Sequence, residues 1–271
     1  MIFVIFNSKE VLILIRQFFF LFLISTSIAQ TEFVNVELID KTLSNVDEYL
    51  GTDKFGSRYF INDNILYKTT ENDTINYSNY QLGNITTVNI FNTLKINLFY
   101  KDFNTAIILD NRLSEVFKID FNLKKPYKNV SHISTGFDNT LWIFNQDLQV
   151  LELYNYKTNK TVASTLPIQS QVLEIASNYN YCWLLTESFL YIYNYQGSMI
   201  SKMKNDGFTN MRLDNGNLIL KKGDFLFFLD KEKDNLLKIN TPELPIKQFS
   251  LTNETLYIYG LNFLYQFQLK L

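Results

Sequence analysis

Six polar residues, Glu48, Thr87, His132, Glu174, Asn210 and Gln248, each sit third in a short segment that begins apolar and returns to apolar at its fourth place. The segments start at Val46, Ile85, Val130, Val172, Phe208 and Ile246, so they are 39, 45, 42, 36 and 38 residues apart. Two carboxylates, an imidazole, two amides and a hydroxyl converging on one axis could hold an ion or a small polar ligand. The same residues would also serve simply to line a wet channel, where polar side chains keep buried groups hydrogen-bonded. That is the simpler account. His132 is the only histidine, so any His-based triad or metal site would rest on one residue. No G-x-S-x-G elbow, P-loop or H-E-x-x-H segment is present, and Cys182 stands alone, so no internal disulfide can form. Paired carboxylates of a carbohydrate-cleaving kind remain compatible with the sequence, although most Asp residues fall in turns, where they cap the backbone. The expectation is a protein without catalytic residues, cofactor or bound metal.

The elements that must position this ring follow from the same spacing. Each opening segment is followed by a turn and a second apolar run, such as LWIF at Leu141 or LYIY at Leu256. A third run follows, such as AIIL at Ala106 or FLYQF at Phe263, and in most units a fourth, more polar one such as TVAST at Thr161. Asn, Asp and Gly fill the gaps, as in Asn62-Asp63, Asp138-Asn139 and Asp214-Asn215-Gly216, which is hairpin chemistry. With 24 Phe and 17 Tyr in 271 residues and only four Pro, the chain suits pleated, half-buried strands. Four antiparallel strands about every forty residues is the spacing of a propeller blade. The expected fold is therefore all-β: a six-bladed β-propeller of four-stranded antiparallel blades. The sixth unit has three strands, and Phe33-Ile39 (FVNVELI) alternates like a strand that belongs to no complete unit. It is expected to complete the last blade and close the ring, which would hide an otherwise unpaired edge.

The first 29 residues are of another kind. Lys9 and Arg16 precede the apolar run Gln17–Ile28, and Ser27-Ile28-Ala29 offers small residues before a cut after Ala29. This is the pattern of a secretory signal peptide, leaving 30–271 as a single domain. Arg16 interrupts Val11–Ile28, which argues against a transmembrane anchor, and no span is expected after cleavage. Cleavage removes two of the 25 basic and one of the 27 acidic residues, for a net charge of -3. Nothing in that charge draws the chain to nucleic acid or anionic lipid.

The stretch GFDNTLWIF at Gly136–Phe144 resembles the DG-x-LW-I strand of regulator-type propeller repeats, with Asn139 in place of the Gly, and Asn180–Leu184 matches more loosely. In architecture and in its Asn, Ile, Lys and Tyr usage the chain is also similar to bacterial envelope propellers such as the periplasmic plug of the type 9 secretion translocon. That resemblance implies an accessory subunit, periplasmic or secreted or associated with the outer membrane, whose partner is an envelope membrane protein. Tyr179, Tyr181, Tyr191, Tyr193 and Tyr195 form the aromatic cluster expected to contribute to such a contact, strand alternation burying about half of them. A carbohydrate-binding or carbohydrate-cleaving propeller is the alternative, with Trp142 and Trp183 as stacking residues. Both lie inside apolar runs, where core packing explains them more simply.

Overall fold

Alternating apolar residues and Asn/Asp turns produce strands throughout the computed structural model, which describes residues 33–230 and 235–271. The expected leader, 1–29, lies outside the described residues. Several two-residue hairpins carry positive φ at both central positions: Asp63-Asn64 (50° and 61°), Asn253-Glu254 (49° and 62°) and Leu261-Asn262 (52° and 62°). This backbone matches the right-handed twist of the flanking strands, and Asn and Asp tolerate it best among residues with a Cβ.

Four four-stranded antiparallel sheets follow one another along the chain, over 48–77, 87–120, 130–164 and 172–204, with strands in chain order in each. The remaining strands form one eight-stranded sheet. Its order is Asn210–Asp214, Asn217–Lys222, Phe225–Leu229, Leu236–Asn240, Phe33–Leu43, Phe263–Lys270, Thr255–Gly260 and Gln248–Thr252. The expectation of six separate four-stranded blades is thereby corrected to four such sheets and one of eight strands. The N-terminal strand is the cause, because it pairs on both of its edges. It runs antiparallel to Phe263–Lys270, from Asn35 opposite Lys270 to Leu43 opposite Phe263, with an irregularity between Leu38 and Asp40. It also runs parallel to Leu236–Asn240, with Phe33 opposite Lys238 and Asn35 opposite Asn240. A strand has hydrogen-bonding groups on two edges, and its sequence does not say how many will be used.

The core lies between neighbouring sheets, as face-to-face sheet packing requires. Ile96–Tyr100, Thr105–Leu109 and Thr140–Asn145 are buried at every position because both faces are covered, whereas the outer strands Lys160–Ser164 and Met199–Lys204 are largely exposed. Phe99, Ile108, Ile133, Ile143 and Tyr154 fill one such interface, and Trp142, Leu153, Ile175 and Leu184 fill the next. Both tryptophans are core residues, Trp183 lying in the following cluster. Gly260 ends its strand so close to the connection leading into Gln248–Thr252 that an added Cβ would lie 2.0 Å from the Pro245 carbonyl oxygen. Only glycine permits that approach.

Candidate functional site: an aromatic rim over an axial cavity

The opening strands of the units, Glu48–Thr52, Thr87–Asn89, Val130–Thr135, Val172–Ser177, Asn210–Asp214 and Gln248–Thr252, surround a cavity of about 970 Å³. Of the six ring residues, Glu48, Thr87, His132, Glu174 and Asn210 line it. Gln248 does not. Its Oε1 is buried and has no hydrogen-bond partner.

The lining groups are individually constrained. Glu174 accepts an ion-pair hydrogen bond from Arg212 Nη1 and a backbone bond from the Met211 N–H. The Arg212 guanidinium in turn lies 5.4 Å from the Phe249 ring centroid. Burial pushes the Glu48 carboxyl up, opposed by the positive charges of Arg212 and Lys247 and reinforced by Glu174. Burial, aided by the charge of Lys101, lowers His132 to about 4, so its ring is neutral near pH 7. The ring's Nδ1 is 2.9 Å from Ser131 Oγ. Among the described residues no three His, Cys, Asp or Glu side chains are gathered closely enough to hold a metal ion, so Glu48, His132 and Glu174 stand as separate groups. A smaller cavity of about 590 Å³ adjoins Lys101, Ser131 and His132 and is lined by Gln146, Gln149, Gln169 and Gln171.

The aromatic cluster divides by place in the chain, its buried members lying within the strand Phe189–Asn194 and its exposed members at a strand end or in turns. Tyr191 and Tyr193 are buried in the core beside Cys182 and Leu184, while Tyr179, Tyr181 and Tyr195 are exposed. Of these only Tyr179 lines the axial cavity, and side chains not singled out from sequence join it at the mouth. Phe55 is 74% exposed, Phe91 42%, Leu94 65% and Tyr179 45%, and all four line that mouth from the turns that follow the inner strands. Phe91 and Tyr179 meet edge to face with centroids 5.1 Å apart, and Phe137 meets Tyr195 in the same way at 5.8 Å. These turns are pinned by internal hydrogen bonds. Asn89, Asn92 and Asn178 each accept backbone N–H bonds within the turn, and Asp53 receives the N–H groups of Phe55 and Ser57 together with the Tyr59 hydroxyl. The sequence signal for the rim was a large apolar residue inside an Asx turn, as in Phe91-Asn92 and Asn178-Tyr179, where only a polar tip is needed.

No protein-family model matches the chain, and no curated protein does. Solved structures share its shape. Virginiamycin B lyase from Staphylococcus aureus superposes with a TM-score of 0.58 at 12% identity, covering 81% of this chain and 79% of the lyase. The Pan2 WD40 domain of Neurospora crassa gives 0.56 at 7% identity over 86% of this chain and 94% of that domain. A chain of the mitotic checkpoint complex gives 0.58 at 10% identity, covering 83% of this chain and 74% of its own length. At such identities the likeness shows the fold, a β-propeller, and carries no activity with it.

Proposed function

We propose that the chain is an exported, non-enzymatic β-propeller that serves as a protein-interaction module of the bacterial envelope. It would dock a membrane-protein partner through the aromatic rim. The observation that carries this reading is the cluster of exposed Phe55, Phe91, Leu94 and Tyr179 held on hydrogen-bonded turns around one cavity mouth. Large, pre-positioned aromatic side chains lose little freedom on binding and dominate interface energies. The groups beneath them favour recognition over chemistry. A histidine that titrates near 4 is a weak base at neutral pH, and Glu174 is already engaged by Arg212. Both tryptophans that a carbohydrate platform would use are in the core.

Capture from envelope extracts tests the rim. The wild-type chain should retain a stoichiometric membrane protein, and Phe91→Ala with Tyr179→Ala should weaken retention at least tenfold, on the order of 2 kcal/mol, without moving the melting temperature by more than a few degrees. At pH 7, His132→Gln should leave capture unchanged. Loss of the partner with His132→Gln alone would put the working surface on the axis and refute the rim. Saturable glycan binding lost in the aromatic variants would instead favour the carbohydrate reading. Export has its own check. The protein purified from envelopes should begin at Gln30 or Thr31 by N-terminal sequencing, and an intact residue 1–28 segment would convert the leader into an anchor.

A further inference from the structure

Three polar side chains far from the rim are almost wholly buried in the 130–164 sheet. Lys128 is 6% exposed, Glu152 3% and Asn145 1%. The strand registers explain why they meet. Asn145 pairs with Val130 on one side and Val150 on the other; Lys128 precedes Val130 by two residues, and Glu152 follows Val150 by two. Strand alternation puts Asn145 and Glu152 on one face of the sheet, and Lys128, in the connection just ahead of Val130, brings its amine to that face. The Glu152 carboxylate joins them: Oε2 accepts from Lys128 Nζ and from Thr161 Oγ1, and Oε1 accepts from Asn145 Nδ2 at 2.9 Å. On the other side of the carboxamide, Asn145 Oδ1 accepts from the backbone N–H groups of Asp147 at 3.2 Å and Leu148 at 3.5 Å. The Tyr154 ring lies 5.5 Å from Nζ, and Phe121 packs on that ring.

A buried carboxylate needs donors beyond its ion-pair partner, and Thr161 and Asn145 supply them here. Here an amine and a carboxamide nitrogen are held on the two oxygens of one dry carboxylate, and the carbonyl oxygen of the same amide faces two N–H donors. That is a nucleophile, a leaving group, a proton carrier and a place for developing negative charge. We propose that Lys128 and Asn145 become joined by an intramolecular isopeptide bond, formed by the chain itself with Glu152 as the proton carrier.

The step balances without an oxidant or co-reactant. The Lys128 ammonium gives a proton to Glu152, leaving a neutral amine and a neutral acid. Nζ attacks Asn145 Cγ, and the oxygen of the resulting tetrahedral carbon is stabilised by the Asp147 and Leu148 N–H groups. The Cγ–Nδ2 bond then breaks. Glu152 protonates Nδ2 and receives a proton from Nζ, so ammonia leaves and the carboxylic acid is restored. At rest, burial pushes the Glu152 carboxyl up but the hydrogen bonds from Lys128, Thr161 and Asn145 outweigh it, and the pair starts out ionised. The reactive neutral pair is one proton transfer away, and burial of the Glu152 carboxylate works in favour of that transfer against its hydrogen bonds. The product ties the entry of one strand to the end of its neighbour.

Peptide mass decides the matter on the unmutated full chain. No Lys or Arg lies between Lys128 and Lys157, and Lys125 is followed by Pro126, so trypsin acting on an unlinked chain releases Asn129–Lys157. The linked chain should instead yield Lys125–Lys157 uncut at Lys128 and about 17 Da lighter, the mass of the ammonia lost in this covalent modification. Glu152→Gln and Lys128→Arg should restore the unshifted mass. Complete cleavage at Lys128 with unchanged mass in the wild-type chain would overturn the proposal, whether or not either variant folds. So would a loss of ammonia from a peptide in which Lys128 is still cut, because that is a succinimide at Asn145 alone.

Discussion

Deleting Phe33–Ile39 is expected to lower folding stability by on the order of 3 kcal/mol or more and to leave a chain that aggregates on heating. The estimate comes from the position of this strand between Leu236–Asn240 and Phe263–Lys270, where it hydrogen-bonds to both. Val34 alone is 3% exposed and packs with Ile239 and Leu269, and full burial of a valine contributes about 1.5–3 kcal/mol. The lost ladder bonds add to this, while the exposed Glu37–Lys270 ion pair adds little. Removal also opens two strand edges at once, each a template for pairing with another chain. Trimming only Gln30 and Thr31 should change nothing. Thermal unfolding followed with light scattering compares the two truncations, and a wild-type melting temperature in the longer one would show that the strand does not hold the eight-stranded sheet together.

The second large effect is a loss of stability in mild acid caused by one residue. In the unfolded chain His132 takes up a proton near its ordinary value of 6.5, whereas in the folded chain burial and Lys101 hold it to about 4. Between those values the unfolded state binds the extra proton, so stability is fully present above about pH 7 and falls as pH drops toward 4. Below that the folded ring protonates as well, and the loss from this group levels off. The whole shift corresponds to at most about 3 kcal/mol. Denaturant titrations of the wild-type chain and His132→Gln at pH 7 and pH 4.5 isolate it, because carboxylates titrating over the same range are common to both. The variant should match wild type at pH 7 and lose markedly less by pH 4.5. An equal acid loss in both chains would remove His132 as its source.

The sequence by itself determined the strands, their turns and the recurrence of a four-strand unit. These depend on alternation and on Asn, Asp and Gly at fixed places, which are local properties. Trp142 and Trp183 were legible as core for the same reason. It also singled out a polar position on each inner strand and an aromatic stretch at Tyr179–Tyr195. Tertiary structure decided what became of them. Val34 carries no mark that its strand would bond on both edges, because edge use depends on which strands arrive beside it, and that converts an expected pair of sheets into one of eight strands. Glu174 is tied to Arg212, 38 residues away, and Gln248 is buried without lining the cavity, because contacts between sheets are set by packing rather than by spacing. Tyr191 and Tyr193 go inward from the strand Phe189–Asn194 while Phe55, Phe91 and Leu94 stand outward on turns, since only the neighbouring sheet says which strand faces are covered and which turns stay open. Lys128, Asn145 and Glu152 look like ordinary surface residues of three separate segments, and the register of two strands with the connection ahead of Val130 is what removes them from water and joins them at one carboxylate.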